Sequence, residues 1–224
     1  MTALLDLLLA AAAGRFPPAD ALVEVFDSPP GPSDAVVAFT AHHVVAADVP
    51  AREILERLDP DDVGAPMGAR FLAWLAGRLG SEAGMVDAVL AADPPTGPPA
   101  TRLVPRDDLA GHPRVSRSIR YRTGVRVFAD PRGRGVLSVG RGLADRLEVS
   151  VEVDPEHRGA GVGRELASAA RALADGEPLF AQVSPGNASS LRAFLAAGYR
   201  PLGAEVLFLK AAPRPTEGVV GSSR

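Results

Sequence analysis

The stretch Leu147–Gly163, LEVSVEVDPEHRGAGVG, constrains this 224-residue chain more than any other. Leu147, Val149, Val151 and Val153 alternate with Glu148, Ser150 and Glu152. A period of two over seven residues reads as a strand with one buried face. Asp154-Pro155 ends it, because proline cannot donate to a sheet ladder. The turn Arg158–Gly163 then runs straight into Arg164–Asp175, where Leu166, Ala169, Ala170 and Leu173 fall on one helical face.

A glycine-rich turn that opens a helix is a place to put an anion. The first backbone N–H groups of a helix have no internal partner, and the helix dipole adds partial positive charge there. Glycines let the backbone approach a ligand closely and take conformations that a Cβ forbids. Arg158 adds a full charge. The competing reading is a plain strand–turn–helix connection whose glycines serve only the turn. The strand before it, the arginine at its start and the amphipathic helix after it favour anion binding. Two other phosphate motifs are excluded: no Gly-x-x-x-x-Gly-Lys-Ser/Thr run occurs, and the turn is Gly-x-Gly-x-Gly rather than the dinucleotide fingerprint.

Arg158-Gly159-Ala160-Gly161-Val162-Gly163 fits the pattern Arg/Gln-x-x-Gly-x-Gly/Ala. It resembles the acetyl-CoA pyrophosphate signature of the GNAT superfamily of N-acetyltransferases, and Val153–His157 looks like the usual approach to that loop. A second match follows. Pro178–Val183 reads as a strand, Asn187 as a helix cap, and Leu191–Ala197 as a helix ending at Gly198-Tyr199. That is similar to the family's Asn-led helix closing on Gly-Phe or Gly-Tyr. Together the matches cover Leu147 to about Lys210.

The resemblance implies an α/β protein whose C-terminal part has a GNAT fold, a mixed and mostly antiparallel sheet flanked by helices. It implies an N-acetyltransferase moving an acetyl group from acetyl-CoA to an amine of a small molecule or protein. The alternative is a non-catalytic acyl-CoA-binding sensor or scaffold. By the same resemblance the backbone of Val151 and Val153 meets the pantetheine arm. Arg158, Gly159, Ala160, Gly161, Val162, Gly163 and Arg164 take the pyrophosphate, and Asn187 sits near the pantetheine.

The chemistry needs a group to deprotonate the amine. Glu148 and Glu152, on the strand that flanks the cofactor in the family, are the candidates. A carboxylate serves as a base at neutral pH only where burial or a neighbour raises its pKa. Leu147 and Val149 stand where some family members carry the basic side chain, and Gln182 stands where some protein N-terminal acetyltransferases have Glu. Many GNAT enzymes have a tyrosine acid seven residues after the helix-leading asparagine; here that place is Phe194. Tyr121 and Tyr199 are the chain's two tyrosines, and Tyr199 matches a core aromatic of the family.

Composition bounds the rest. Apolar residues make up 46%, enough for a packed core. With 24 basic and 27 acidic residues the net charge is −3, which argues against a nucleic-acid or anionic-membrane partner. There is no cysteine, so no disulfide framework, thiol nucleophile or thiolate metal site exists. A cytoplasmic protein fits that composition. Thr2–Ala13 lacks a basic start and carries Asp6, so it reads as a first helix and not a signal peptide. His42 and His43 point to opposite faces of a strand, so no metal site is expected there.

Along the chain, Ala21–Phe26 and Ala35–Phe39 read as strands and Ala51–Leu58 as a helix. Met67, Phe71, Trp74 and Leu75 form a helical stripe, and Glu82–Ala92 reads as another helix. Asp93–Pro99, DPPTGPP, is the clearest breaker. The expected organisation is a smaller α/β N-terminal domain at 1–92, a Pro-rich linker at 93–99, the GNAT domain at 100–210 and a flexible tail at 211–224. The N-terminal domain carries no motif with a chemistry of its own and is read as a degenerate GNAT-like half or a domain of unknown role.

Overall fold

A computed structural model describes residues 2–210. The tail at 211–224 lies outside the described residues. Helix α1 spans Ala3–Ala12, and Thr2 caps it by accepting from the Leu5 N–H. Strands β1 (Val23–Phe26), β2 (Ser33–Phe39) and β3 (His42–Ala46) follow. Helix α2 (Ala51–Leu55) is short. Helix α3 (Ala69–Leu79) buries Phe71 and Leu75 of the apolar stripe, with Leu72 and Ala76 beside them, and stops at Gly80 in the left-handed region.

The next element departs from the sequence reading. Glu82–Ala92 is not a helix; its second half is strand β4, Asp87–Ala92. The run Ala88–Ala92 is apolar throughout, which fits a strand buried on both faces as well as it fits a helix segment. Val89 and Ala91 pack with α1, while Leu90 and Ala92 pack in the cluster that contains α5 side chains such as Leu166. Two cores sandwich the strand, so no polar alternation marks it.

After the segment 93–99, which holds neither helix nor strand, come β5 (Val104–Pro105), α4 (Pro113–Tyr121), β6 (Thr123–Ala129) and β7 (Gly135–Arg141). Then follow β8 (Leu147–Val153), α5 (Val162–Ala170), β9 (Leu179–Val183), α6 (Ala188–Ala196) and β10 (Arg200–Leu209). All ten strands form one sheet in the order β1-β3-β2-β10-β4-β9-β8-β7-β6-β5. Most pairs are antiparallel; β1 with β3 and β8 with β9 are parallel. The fold is thus mixed α/β, a large and mostly antiparallel sheet flanked by helices.

The order has one consequence for the site. β4, from before the Pro-rich segment, lies between β9 and β10, from after it. It pairs antiparallel with both: Leu90 with Ala181 and with Pro201. The sheet therefore runs unbroken through both halves of the chain, and the first half supplies a central strand to the second.

Candidate active site where two strands part

β8 begins beside β9 and then leaves it. Their parallel pairing is limited to Glu148 with Phe180 and Val149 with Ala181. Beyond Val149 the strands diverge, and a cavity of about 280 Å³ sits at the parting. Val151 lines it from β8, Gln182 from β9, Asn187 and Phe194 from α6 and its cap, Tyr121 from α4, and Asp87 from β4. Val151 and Val153 are half-buried, and their main chain faces the parting without a β9 partner. The carbonyl of Val153 accepts from Arg158 Nε at 3.1 Å.

The glycine turn lies at the far end of β8. Gly161 is the N-cap of α5, with φ of 82°, and no side chain caps the helix. A Cβ at Gly159 or Gly161 would meet nothing within 4 Å. The space over the helix mouth is open, and the first α5 N–H groups face it. Ala160 and Arg164 are exposed, Val162 is buried in the core, and Gly163 packs against Val153 and Ala193. The expected loop residues thus run through one turn into α5, with Arg158, Gly159, Ala160, Gly161 and Arg164 exposed and Val162 and Gly163 turned inward. Asn187 caps α6 through its side-chain oxygen, which accepts from Ser190 N–H at 3.1 Å, and lines the cavity.

The opposite face of β8 meets α4 in a regular ladder. Arg114, Ser118 and Arg122 are four apart, as successive helical turns require, and face Glu152, Ser150 and Glu148, two apart on the strand. The contacts are Arg114 Nε to Glu152 Oε2 at 3.0 Å, Ser118 Oγ to Ser150 Oγ at 3.0 Å, and Arg122 Nε to Glu148 Oε2 at 2.8 Å.

Glu148 is 0% exposed and is enclosed by donors. Arg146 Nε donates to its Oε1 at 2.8 Å, as do the Leu143 N–H at 3.2 Å and Gln182 Nε2 at 3.0 Å. Burial pushes its pKa up, but the Arg146 and Arg122 guanidiniums outweigh burial and hold it below the usual carboxylate value. Arg146 is itself buried; its other contact is Glu205 Oε1 at 2.6 Å, and the two carboxylates raise its pKa against the effect of burial. Gln182 bridges the same group, donating to Glu205 at 2.7 Å and accepting from Arg122 at 3.1 Å.

Neither glutamate expected as a base lines the cavity. Glu148 is held ionised by two arginines, and Glu152 is paired with Arg114. The physical reason is the helix α4, whose basic residues were not assigned partners in the sequence. Among the described residues, the one carboxylate that lines the cavity is Asp87, on a strand read as helix. Asp87 stands opposite Glu205 on β10, on the same sheet face. Burial raises its pKa, Glu205 adds to the rise, and Arg117 opposes it.

Of the two tyrosines, Tyr199 is buried, donates to the Ala167 carbonyl at 3.2 Å and packs edge-on to Phe194 at 4.9 Å. Burial raises its pKa. Tyr121 lines the cavity, with the Arg117 guanidinium 5.7 Å from its ring centre. His42, in the N-terminal half, is buried and bonds Asp20 and Glu24 through its two ring nitrogens, each at 2.9 Å. Among the described residues no group of three His, Cys, Asp or Glu is placed to hold a metal, and no helix is long and apolar enough to cross a membrane.

Residues 123–199 match the model of the acetyltransferase (GNAT) family. The match runs from β6 to Tyr199, just before β10, and so takes in the parted strands, the glycine turn and α6. Over that stretch the chain is similar to the GNAT acetyltransferases, a family whose activity is acyl transfer. Among solved structures, a GCN5-related N-acetyltransferase from Kribbella flavida is similar at 16% identity and a TM-score of 0.39, over 63% of this chain and 64% of that one. A chain assigned to the GNAT acetyltransferases from Novosphingobium aromaticivorans is similar at 22% identity and a TM-score of 0.41, over 59% and 69%. A tandem GNAT protein of clavulanic acid biosynthesis is similar at 16% identity and a TM-score of 0.37, over 61% and 57%. No curated protein matches the chain.

Proposed function

We propose that the chain transfers an acetyl group from acetyl-CoA to an amine, at the cavity where β8 and β9 part. One observation carries the reading: inside the family-matched segment, the parted strand edges lead directly to an uncapped helix mouth with open space above it. An extended thioester arm needs main-chain partners along its length, and a pyrophosphate needs unpaired N–H groups at its end. Val151 and Val153 would serve the arm. The N–H groups of Arg158–Arg164, with Gly159 and Gly161 leaving room for close approach, would hold the pyrophosphate. Asn187 would border the arm at the mouth of α6. The donor supplies the activated acyl group; the chain's own residues bind, orient and exclude water.

The acceptor amine would enter from the α4 side of the cavity, past Tyr121 and Arg117. A further hollow of about 300 Å³, which shares Gly84, Tyr121 and Leu207 with the first, extends that approach. The Pro-rich segment 93–99 joins two sequence modules, 1–92 and 100–210, that share one sheet. The test is release of free CoA from acetyl-CoA with a panel of primary amines. Amine-dependent release is expected. Tight acetyl-CoA binding with no release for any amine would favour the sensor or scaffold role instead.

A further inference from the structure

An amine at neutral pH is largely an ammonium and must lose a proton before it can attack. The two glutamates of β8 do not line the cavity, and each is paired with an arginine of its α4 wall, Glu152 with Arg114 and Glu148 with Arg122. The cavity wall holds three arginines and one carboxylate, Asp87. Ala88 pairs with Val183, so Asp87 lies level with Ser184, beyond the last β9 rung and beside the parting. The side chains that set its charge surroundings are Glu205 from β10 and Arg117 from α4, with Arg122 of the α4 end on the same cavity wall. Glu205 is 1% exposed and its Oε2 has no hydrogen-bond partner among the described residues, while its Oε1 is taken by Arg146 and Gln182. A carboxylate with spare accepting capacity thus stands one strand away from Asp87, where it disfavours a second negative charge.

We propose that Asp87, carried into the site on β4 by the N-terminal half of the chain, is the group that takes the proton from the acceptor amine. The inference rests on the acyl-transfer reading. In the step, the ammonium gives one proton to the Asp87 carboxylate. The freed nitrogen lone pair forms the C–N bond to the acyl carbon, and the C–S bond breaks with its electron pair on sulfur. The nitrogen's second proton passes to the thiolate to give free thiol, and Asp87 returns its proton to solvent. A carboxylate whose pKa is raised is a better proton acceptor than an ordinary one. The role also gives the N-terminal half a function: without β4 the site has a donor cleft and no base.

A raised pKa has a second consequence. The folded state binds the Asp87 proton more tightly than the unfolded state, so stability falls as pH rises from the ordinary carboxylate value through the folded one. At neutral pH ionised Asp87 therefore works against the fold. D87N removes that charge at constant shape. Turnover of benzylamine by D87N should fall about 10²–10⁴-fold, with acetyl-CoA affinity unchanged by calorimetry, while the melting temperature at pH 7 rises. A carboxylate that merely held the sheet would show lower stability on the same change. An arm that needs no acceptor is the NMR titration of the Asp87 carboxyl in the full chain, with D87N to assign the signal. Its midpoint should lie above the ordinary range, and the signal should shift when benzylamine is added to the acetyl-CoA complex. An ordinary midpoint, or D87N turnover within about tenfold of wild type, overturns the proposal. Loss of acetyl-CoA binding by the wild type would overturn the acyl-transfer reading separately.

Discussion

Glu148 and Asp87 are both carboxylates on central strands, on the same face of one sheet, and their surroundings drive them apart. Glu148 is the more buried, yet its pKa is lowered, because two guanidiniums, a main-chain N–H and an amide point at it. Asp87 is less buried, yet its pKa is raised, by burial first and then by the Glu205 carboxylate across the ladder, against the opposing Arg117. Desolvation acts upward on both; the sign of the neighbouring charge decides the outcome. One group is fixed as part of the framework, and the other is left able to exchange a proton.

The comparison breaks most severely if β4 is removed. A fragment of residues 100–224 lacks β1 to β4, which leaves β10 unpaired on both edges and β9 on one. It should be insoluble or lack a cooperative thermal transition, and a folded, soluble fragment would mean that the halves are independent. Cleavage within 93–99 of the folded chain should instead leave both pieces associated through a gel-filtration column.

The next largest effect is at Glu148. E148Q leaves Arg146 and Arg122 short of a charge in the interior, which should cost about 3–5 kcal/mol in denaturant unfolding at pH 7. The pH dependence sharpens the contrast with Asp87. The lowered pKa means that the Glu148 contribution is full above the unfolded carboxylate value and is lost as pH falls through the folded one. The gap between wild type and E148Q should therefore narrow in acid, whereas the gap between wild type and D87N should open toward neutral pH.

A smaller effect is expected at Gly142, where a Cβ would land on the Glu148 carboxyl group. Gly142→Ala should destabilise by about 1–3 kcal/mol, as overpacking typically does, and leave Asp87 titrating as before. The smallest belongs to Tyr199, whose hydroxyl serves the Ala167 carbonyl. Y199F should lower stability by about 1 kcal/mol and kcat by less than about tenfold. A 10³-fold loss with normal acetyl-CoA binding would make Tyr199 the acid.

The elements of the proposed donor side were legible in the sequence because they are local. A period-two strand, a glycine turn and a helix are contiguous, and Asn187 announces the next helix with its own side chain. The acceptor side was not. Asp87 lies 60 residues before Leu147 in a run whose strand has two buried faces and hence no period to read. Nothing in local sequence tells that β4 inserts between β9 and β10, since strand order is set by long-range pairing. The partners of Glu148 were hidden for the same reason: Arg122, Gln182 and Arg146 converge from a helix end, a neighbouring strand and a loop.

The account turns on the open mouth of α5 as the place where the donor's pyrophosphate is held. Calorimetric titration of acetyl-CoA into the full chain and into Gly161→Asp tests it most directly. The substitution sets a carboxylate and a Cβ in the open space above Gly161, at a left-handed φ that suits glycine. Saturable binding by the wild type, weakened more than tenfold in the variant, or at least about 1.4 kcal/mol, is the predicted result. Equal binding by a folded variant, or none by the wild type, would contradict the account.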